Sequence, residues 1–190
     1  RNARFREFLE GWRKIAERVM LYEYYYKSGA MGLPWPATAA MRADLPYAAR
    51  AGVCGLYTQY KPSALIGLNF YVAAKMAWDP GVDTEALLAD FFDKFYGPAA
   101  KPMRRAHEAL EEAVARTALH PCGISDTRYL FLDDFYRPEI AQRCRARLAE
   151  AKTAAADDPL VMRRIAVQEA GLKYAELMRD YAGAVRPVVG

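Results

Sequence analysis

A tyrosine-rich stretch at residues 19–29, VMLYEYYYKSG, decides the fold expected for the first half of the chain. β-Branched and aromatic residues dominate the stretch and Ser-Gly ends it, which is typical of a short β-strand. The strand also contains Glu23, and a carboxylate within an apolar strand is costly unless it is paired or faces a cleft. Two interpretations are therefore open: a buried strand made of good strand formers, or the rim of a sugar-binding cleft.

The segments around this strand alternate between helical and extended patterns. Apolar residues recur at three- and four-residue steps in residues 3–19, 37–52 and 63–78, which predicts three helices. A second short strand, VCGLYTQY at residues 53–60, lies before the third helix. The resulting order, α-β-α-β-α, predicts parallel strands covered by helices. Because two strands alone do not form a stable parallel sheet, we expect the other strands to come from sequence that precedes residue 1.

The pattern changes after Asp79-Pro80 and becomes entirely helical. Apolar stripes at helical spacing predict four further helices, near residues 83–97, 100–117, 138–156 and 160–185. Short connections between such helices indicate an antiparallel bundle. We therefore expect two domains, an α/β part at residues 1–80 and an all-α part at residues 81–190.

The composition of the chain bears on which kinds of binding partner are expected. Of the 190 residues, 53% are hydrophobic and 26% are charged, which indicates a globular protein. No apolar run approaches the roughly 20 residues of a membrane-spanning helix. The net charge of +4 is spread along the chain without a basic tract, so no nucleic-acid partner is expected. Three widely spaced cysteines and two histidines predict neither a disulfide framework nor a metal site, and no cofactor is expected.

The candidate site residues follow from the strand ends, where α/β sheets carry their function. Side-chain alternation puts Glu23 and Tyr25 on one face of the first strand, and Tyr57 and Gln59 on one face of the second. Trp35 lies in a Gly/Pro-rich loop. Aromatic rings beside Glu and Gln suit a sugar ring, which has an apolar face and a polar rim.

Each candidate has a structural alternative. The tyrosines at positions 22–26 are mostly interpreted as strand-packing residues, Glu23 could pair with a Lys or Arg, and Trp35 could anchor its loop. Glycoside hydrolysis usually needs two carboxyl groups, and Glu23 is the single strand-end carboxylate. Glu23 is therefore a catalytic candidate without a visible partner, and the catalytic pair is expected mostly upstream.

Three stretches, LYEYYYK, DLPYAARAGVCGLYTQY and LNFYVAAKMAWDPGVDTEALLADFFDKFYGPAA, together resemble the C-terminal region of proteins with domain of unknown function 4838. These bacterial proteins include members of glycoside hydrolase family 163, which are endo-acting β-N-acetylglucosaminidases. The segment AKMAWDPGVDTEALLADFFDKFYG is also similar to α-glucuronidases. The resemblance covers roughly residues 1–110, and this chain has Thr58-Gln59 where many relatives carry an acidic residue.

The resemblance implies a fold and a function. It implies that residues 1–80 hold the last strands and helices of a (β/α)8 barrel, with the rest of that barrel as their partner and a helical domain following. It implies an exported protein that acts on glycans or polysaccharides, to which this part supplies sugar contacts from Glu23, Tyr25, Trp35, Tyr57 and Gln59. The alternatives are a non-catalytic carbohydrate-binding module and a helical module that binds a protein partner.

Overall fold

Helices dominate the structure, a computed structural model that describes residues 2–26, 32–60, 63–117 and 131–189. Helices take up 73% of the described residues, and two strands of three residues each accompany them. The strands are β1 (Met20–Tyr22) and β2 (Gly55–Tyr57). The helices are α1 (Asn2–Ile15), α2 (Thr38–Arg50), α3 (Gly67–Trp78), α4 (Thr84–Tyr96), α5 (Ala100–Arg116), α6 (Phe131–Phe135), α7 (Pro138–Ala154) and α8 (Pro159–Val189). None of these helices combines the length and the apolar character that crossing a membrane requires.

The two strands pair in parallel, with Met20 opposite Gly55 and Tyr22 opposite Tyr57. Backbone hydrogen bonds extend the pairing by one step at each end, from Cys54 N to Val19 O (2.9 Å) and from Glu23 N to Tyr57 O (3.0 Å). The predicted α-β-α-β-α order and the parallel pairing are confirmed. Both strands are shorter than the stretches that predicted them, and among the described residues each pairs with the other alone.

The prediction of a (β/α)8-barrel fragment followed by a separate all-α part is wrong. In a barrel each strand has a neighbour on both sides and the helices cover the sheet. Here α3 buries Val72, Ala73 and Met76 in a core that is formed mostly by α4, α5, α7 and α8. The helices therefore pack on one another rather than on a sheet, and nothing in this arrangement supports a barrel remainder as a partner. The boundary proposed near residue 80 stays a prediction.

Local sequence accounts for the helix ends that position this core. Asp83 caps α4, because its carboxylate accepts hydrogen bonds from the backbone N–H groups of Glu85 (2.9 Å) and Ala86 (3.1 Å). Gly97 ends α4 with a φ of 48°, a left-handed value that glycine adopts easily. Gly52 follows α2 in the same way, with a φ of 82°, and leads the chain into β2.

Helix α1 leaves most of its apolar residues uncovered. Leu9 is buried, but Phe8, Trp12 and Ile15 are 57%, 60% and 78% exposed. The helical periodicity of this segment is confirmed, whereas the stripe does not face a core in the described part of the chain.

Candidate functional site

The register of the two strands determines which candidate residues lie together. Residues that are paired in a parallel ladder point to the same side, and Tyr22 is paired with Tyr57. Their ring centroids are 4.9 Å apart. Tyr57 and Gln59 therefore share a side with Tyr22, Tyr24 and Tyr26, and not with Glu23 and Tyr25.

Aromatic contacts continue from this pair into one surface. The ring of Tyr22 lies 4.9 Å from that of Tyr24, which lies 5.7 Å from Tyr26. Phe70 of α3 joins the surface, 6.3 Å from Tyr26 and 5.1 Å from Tyr60. We call this surface the tyrosine face, and its members are Tyr22, Tyr24, Tyr26, Tyr57, Gln59, Tyr60 and Phe70.

The tyrosine face combines exposed rings with hydrogen-bonding groups. Tyr22, Tyr57 and Tyr60 are 48%, 58% and 66% exposed, while Tyr26 is buried beneath them. The Tyr22 and Tyr24 hydroxyl groups share a hydrogen bond of 2.6 Å, and the Tyr26 hydroxyl donates to Gln59 Oε1 at 2.9 Å. This bond fixes the exposed Gln59 side chain, whose amide group also lies close to the Tyr22 hydroxyl.

Glu23 and Tyr25 lie on the other side of β1, in an acidic environment near Asp44 of α2. Burial raises the pKa of the half-buried Glu23; a hydrogen bond from the Tyr24 backbone N–H opposes this rise, and the charge of Asp44 adds to it. Burial also raises the pKa of Asp44, which the charge of Arg6 partly offsets. The predicted alternative for Glu23, an ion pair with Lys or Arg, is not seen within the described ranges. The buried Tyr25 hydroxyl lies near the two acids and has no hydrogen-bond partner within the described ranges.

Trp35 lies apart from both groups, in the extended segment before α2. Its ring packs against Phe135 with centroids 5.3 Å apart. The buried Asn69 side chain donates to the backbone oxygens of Trp35 (2.7 Å) and Tyr25 (2.9 Å) and accepts from the Ala37 N–H (3.1 Å). Of the five candidates, the structure therefore brings Tyr57 and Gln59 together on one side and Glu23 and Tyr25 on the other.

Trp35 lines a cavity of about 440 Å³ between α3, α4, α5, α7 and α8. Aromatic and aliphatic side chains form most of its wall, including Phe91, Phe95 and Leu148. His107 is part of this wall and also borders a smaller polar cavity of about 160 Å³. The sequence predicted the apolar stripes of these helices but not the space that they leave between them.

His107 belongs to a buried polar cluster with Thr38 and Glu111. The Thr38 hydroxyl lies 3.1 Å from His107 Nε2 and donates to Glu111 Oε1, which also accepts from the Ala39 N–H at 2.8 Å. Burial alone would raise the pKa of Glu111, but the interactions with His107, Thr38 and Ala39 outweigh it and lower this pKa to about 2. The four-residue spacing of His107 and Glu111 on one helix was the signal that could have revealed the pair.

Metal binding finds no support in the described ranges, where no group of three or more His, Cys, Asp or Glu side chains is placed to hold an ion. Cys54 and Cys144 are free thiols, and Cys122 lies outside the described residues. Burial raises the pKa of the Cys144 thiol to about 11, so Cys144 is a buried apolar residue rather than a reactive one.

Comparison with known proteins identifies a family. The model of the family described as "Domain of unknown function (DUF4838)" matches residues 1–108. No curated protein and no solved structure matches the chain. The matched residues run from α1 into α5 and include both strands, the tyrosine face and His107. The chain belongs to the DUF4838 family.

Proposed function

We propose that this chain binds glycans at the tyrosine face. The observation that carries the proposal is the group of exposed rings, Tyr22, Tyr57 and Tyr60, beside the immobilised amide of Gln59. Exposed apolar side chains that lie in contact with one another, rather than singly, can mark a binding surface. The apolar C–H face of a sugar ring can stack on a tyrosine ring, and sugar hydroxyl groups can accept hydrogen bonds from the Gln59 amide.

Among the described residues, the tyrosine face has aromatic and amide groups but no carboxylate. Glycoside cleavage usually needs two carboxyl groups on either side of the scissile bond. Glu23 and Asp44 are close enough to influence each other's charge, but they lie with Tyr25 on the other side of β1. We therefore assign binding to the tyrosine face, and glycan cleavage stays a prediction for the protein as a whole.

Calorimetric titration with soluble oligosaccharides tests the proposal. The resemblance to β-N-acetylglucosaminidases and α-glucuronidases selects two probes, an N-acetylglucosamine trimer and a glucuronic-acid-substituted xylo-oligosaccharide. We expect at least one of them to bind, and the double variant Tyr22→Ala/Tyr57→Ala to bind it at least about tenfold more weakly, which corresponds to about 1.4 kcal/mol.

A matched control separates sugar stacking from general loss of surface area. Tyr181 of α8 is 60% exposed and lies outside the tyrosine face, so Tyr181→Ala should bind as wild type does. Thermal melting of each variant confirms that it is folded. The proposal fails if the folded wild type binds neither sugar at millimolar concentration, or if the double variant binds as tightly as wild type.

A second candidate function, binding of another helix, is favoured by the outer face of α8. Leu160, Val167, Tyr174 and Tyr181 recur every seven residues on this 31-residue helix and are 49%, 40%, 45% and 60% exposed. A seven-residue repeat is one of the two repeats that make up the contact seam of paired helices, and a second copy of the chain would supply a matching one. Sedimentation velocity should then show a concentration-dependent dimer that Tyr174→Glu abolishes, whereas a wild-type monomer at all concentrations would exclude this function.

A further inference from the structure

We propose that the cavity of about 440 Å³ between α3, α4, α5, α7 and α8 binds a neutral aromatic molecule, at a site that borders the tyrosine face and shares Tyr60 with it. Its volume lies within the range of small-molecule sites in proteins, which are mostly apolar hollows with a few polar groups. The cavity is partly open to solvent, since the 66%-exposed Tyr60 belongs to its wall, so a ligand can enter it.

The walls select a ligand without charge. No Asp, Glu, Lys or Arg is among the described residues that line the cavity. An ion transferred from water into such a space would lose its hydration without gaining a partner. The cavity is therefore suited to an uncharged molecule.

The aromatic residues of the cavity wall favour a ligand that contains an aromatic ring. Trp35, Phe91, Phe95 and Tyr96 contribute aromatic surface, and Phe91 and Phe95 are stacked at 5.1 Å with an interplanar angle of 16°. Aromatic ligands pack favourably against such rings in offset or edge-on geometry. A flat ligand of one or two fused rings uses this surface better than a branched aliphatic one.

His107 adds a preference for one hydrogen-bonding group. Nε2 of His107 is held by the Thr38 hydroxyl at 3.1 Å and by Glu111 Oε1 at 3.4 Å, whereas no described residue is bonded to Nδ1. Nδ1 can therefore pair with a ligand, as an acceptor or as a donor according to the state of the ring. A ligand hydroxyl group suits this nitrogen in either state, because a hydroxyl group both donates and accepts hydrogen bonds.

Trp35 provides a direct readout of binding. Trp35 lines the cavity, whereas Trp12 and Trp78 are 60% and 92% exposed and can be replaced by Phe. In the Trp12→Phe/Trp78→Phe protein, we expect 2-naphthol to quench the Trp35 emission with saturation and to raise the melting temperature, because a ligand that binds the folded state stabilises it. The ion 2-naphthalenesulfonate has the same rings and should bind at least about tenfold more weakly.

Gly67 offers a variant that fills the cavity. Gly67 lies in the cavity wall, and a Cβ at this position would have no heavy atom within 4 Å, so Gly67→Leu adds volume without a clash at Cβ. We expect this variant to bind 2-naphthol at least tenfold more weakly. Gly183→Leu is the matched control, because its Cβ is equally free and exposed on α8.

Three outcomes would overturn the proposal. The first is the absence of saturable quenching in the folded protein. The second is equal affinity of Gly67→Leu and Gly183→Leu for 2-naphthol, which would place the probe elsewhere. The third is equally tight binding of the sulfonate, which would show that the site does not exclude charge. None of these outcomes depends on whether the tyrosine face binds glycans.

Discussion

The rings of Tyr22 and Tyr57 lie 4.9 Å apart on one side of a ladder that contains three residue pairs. The two residues are 35 positions apart in sequence, and the parallel register alone brings them together. A shift of the register by one residue would move Tyr57 and Gln59 to the side of Glu23, because side chains alternate along a strand. The candidate glycan surface therefore depends on the few hydrogen bonds between β1 and β2.

Gln59 should contribute to glycan binding through its amide group. The Tyr26 hydroxyl donates to the oxygen of this amide at 2.9 Å, which places the exposed amide at the tyrosine face beside the Tyr22 hydroxyl, where a sugar hydroxyl can reach it. We expect Gln59→Ala to lower the affinity for the bound oligosaccharide by roughly threefold to tenfold, since one hydrogen bond contributes about 0.5–1.5 kcal/mol. Calorimetry measures the loss, with Gln142→Ala on the exposed surface of α7 as the control. Unchanged affinity would remove Gln59 from the site.

Glu23 should destabilise the fold at neutral pH. Burial raises its pKa in the folded protein, so the folded state favours the protonated acid. Protonated Glu23 therefore stabilises the folded state. This stabilisation is complete below pH 4.5, the ordinary pKa of a glutamate, and is lost as the pH rises through the raised pKa of the folded protein. Glu23→Gln should therefore be more stable than wild type at pH 7, by less than about 1 kcal/mol because solvent screens a half-exposed carboxylate. Denaturant unfolding at pH 4 and pH 7 measures this difference, which should shrink at the lower pH. A destabilised variant at pH 7 would instead show that the ionised carboxylate is paired.

Glu111, in contrast to Glu23, should stabilise the fold at neutral pH. Its pKa is lowered to about 2 by the interactions with His107, Thr38 and Ala39, so its contribution is present above pH 4.5 and is lost as the pH falls towards 2. Glu111→Gln should lose about 1–3 kcal/mol at pH 7, because the buried Thr38 hydroxyl and the start of α2 lose a charged acceptor. Unfolding curves from pH 7 to pH 2 should show the two proteins converging. The control is Glu112→Gln, whose exposed pair with Arg143 should contribute less than about 1 kcal/mol.

Much of the local structure could be predicted from the sequence, because it depends on local patterns. Helical periodicity located α2, α3, α4, α5, α7 and α8 to within a few residues, and alternation located the two strands. The short α6 was missed, since five residues are too few to show a period. The prediction that was wrong concerned how the elements assemble into a barrel. Alternating helices and strands occur both in barrels and in small sheets of two parallel strands. Helical periodicity also does not show whether a helix packs on a sheet or on other helices.

The candidate site was also predicted only in part, because local patterns do not determine which distant residues come together. Alternation correctly separated Glu23 and Tyr25 from the neighbouring tyrosines, but the sequence does not contain the register that assigns Tyr57 and Gln59 to one of these sides. The tyrosines at positions 22 and 24 were interpreted as packing residues, although Tyr22 is 48% exposed. Asp44 lies near Glu23, and Glu111 accepts a hydrogen bond from Thr38. Both partners are distant in sequence, so patterns in a single sequence do not reveal these contacts.

Tyr25 and Tyr136 offer a matched test of the buried hydroxyl beside Glu23. Both side chains are buried, at 7% and 0% exposure, but the Tyr136 hydroxyl donates to Pro34 O, whereas that of Tyr25 has no partner among the residues that the structure describes. Removal of a hydrogen-bonded hydroxyl group leaves its buried acceptor without a partner, which is destabilising. Removal of a buried hydroxyl group that makes no hydrogen bond removes the cost of having desolvated it. We expect Tyr136→Phe to lose about 1–2 kcal/mol of unfolding free energy and Tyr25→Phe to be neutral or more stable. Urea unfolding of the two variants at pH 7 measures both changes. An equal loss in Tyr25→Phe would mean that its hydroxyl is hydrogen-bonded in solution, most directly to Glu23 or Asp44.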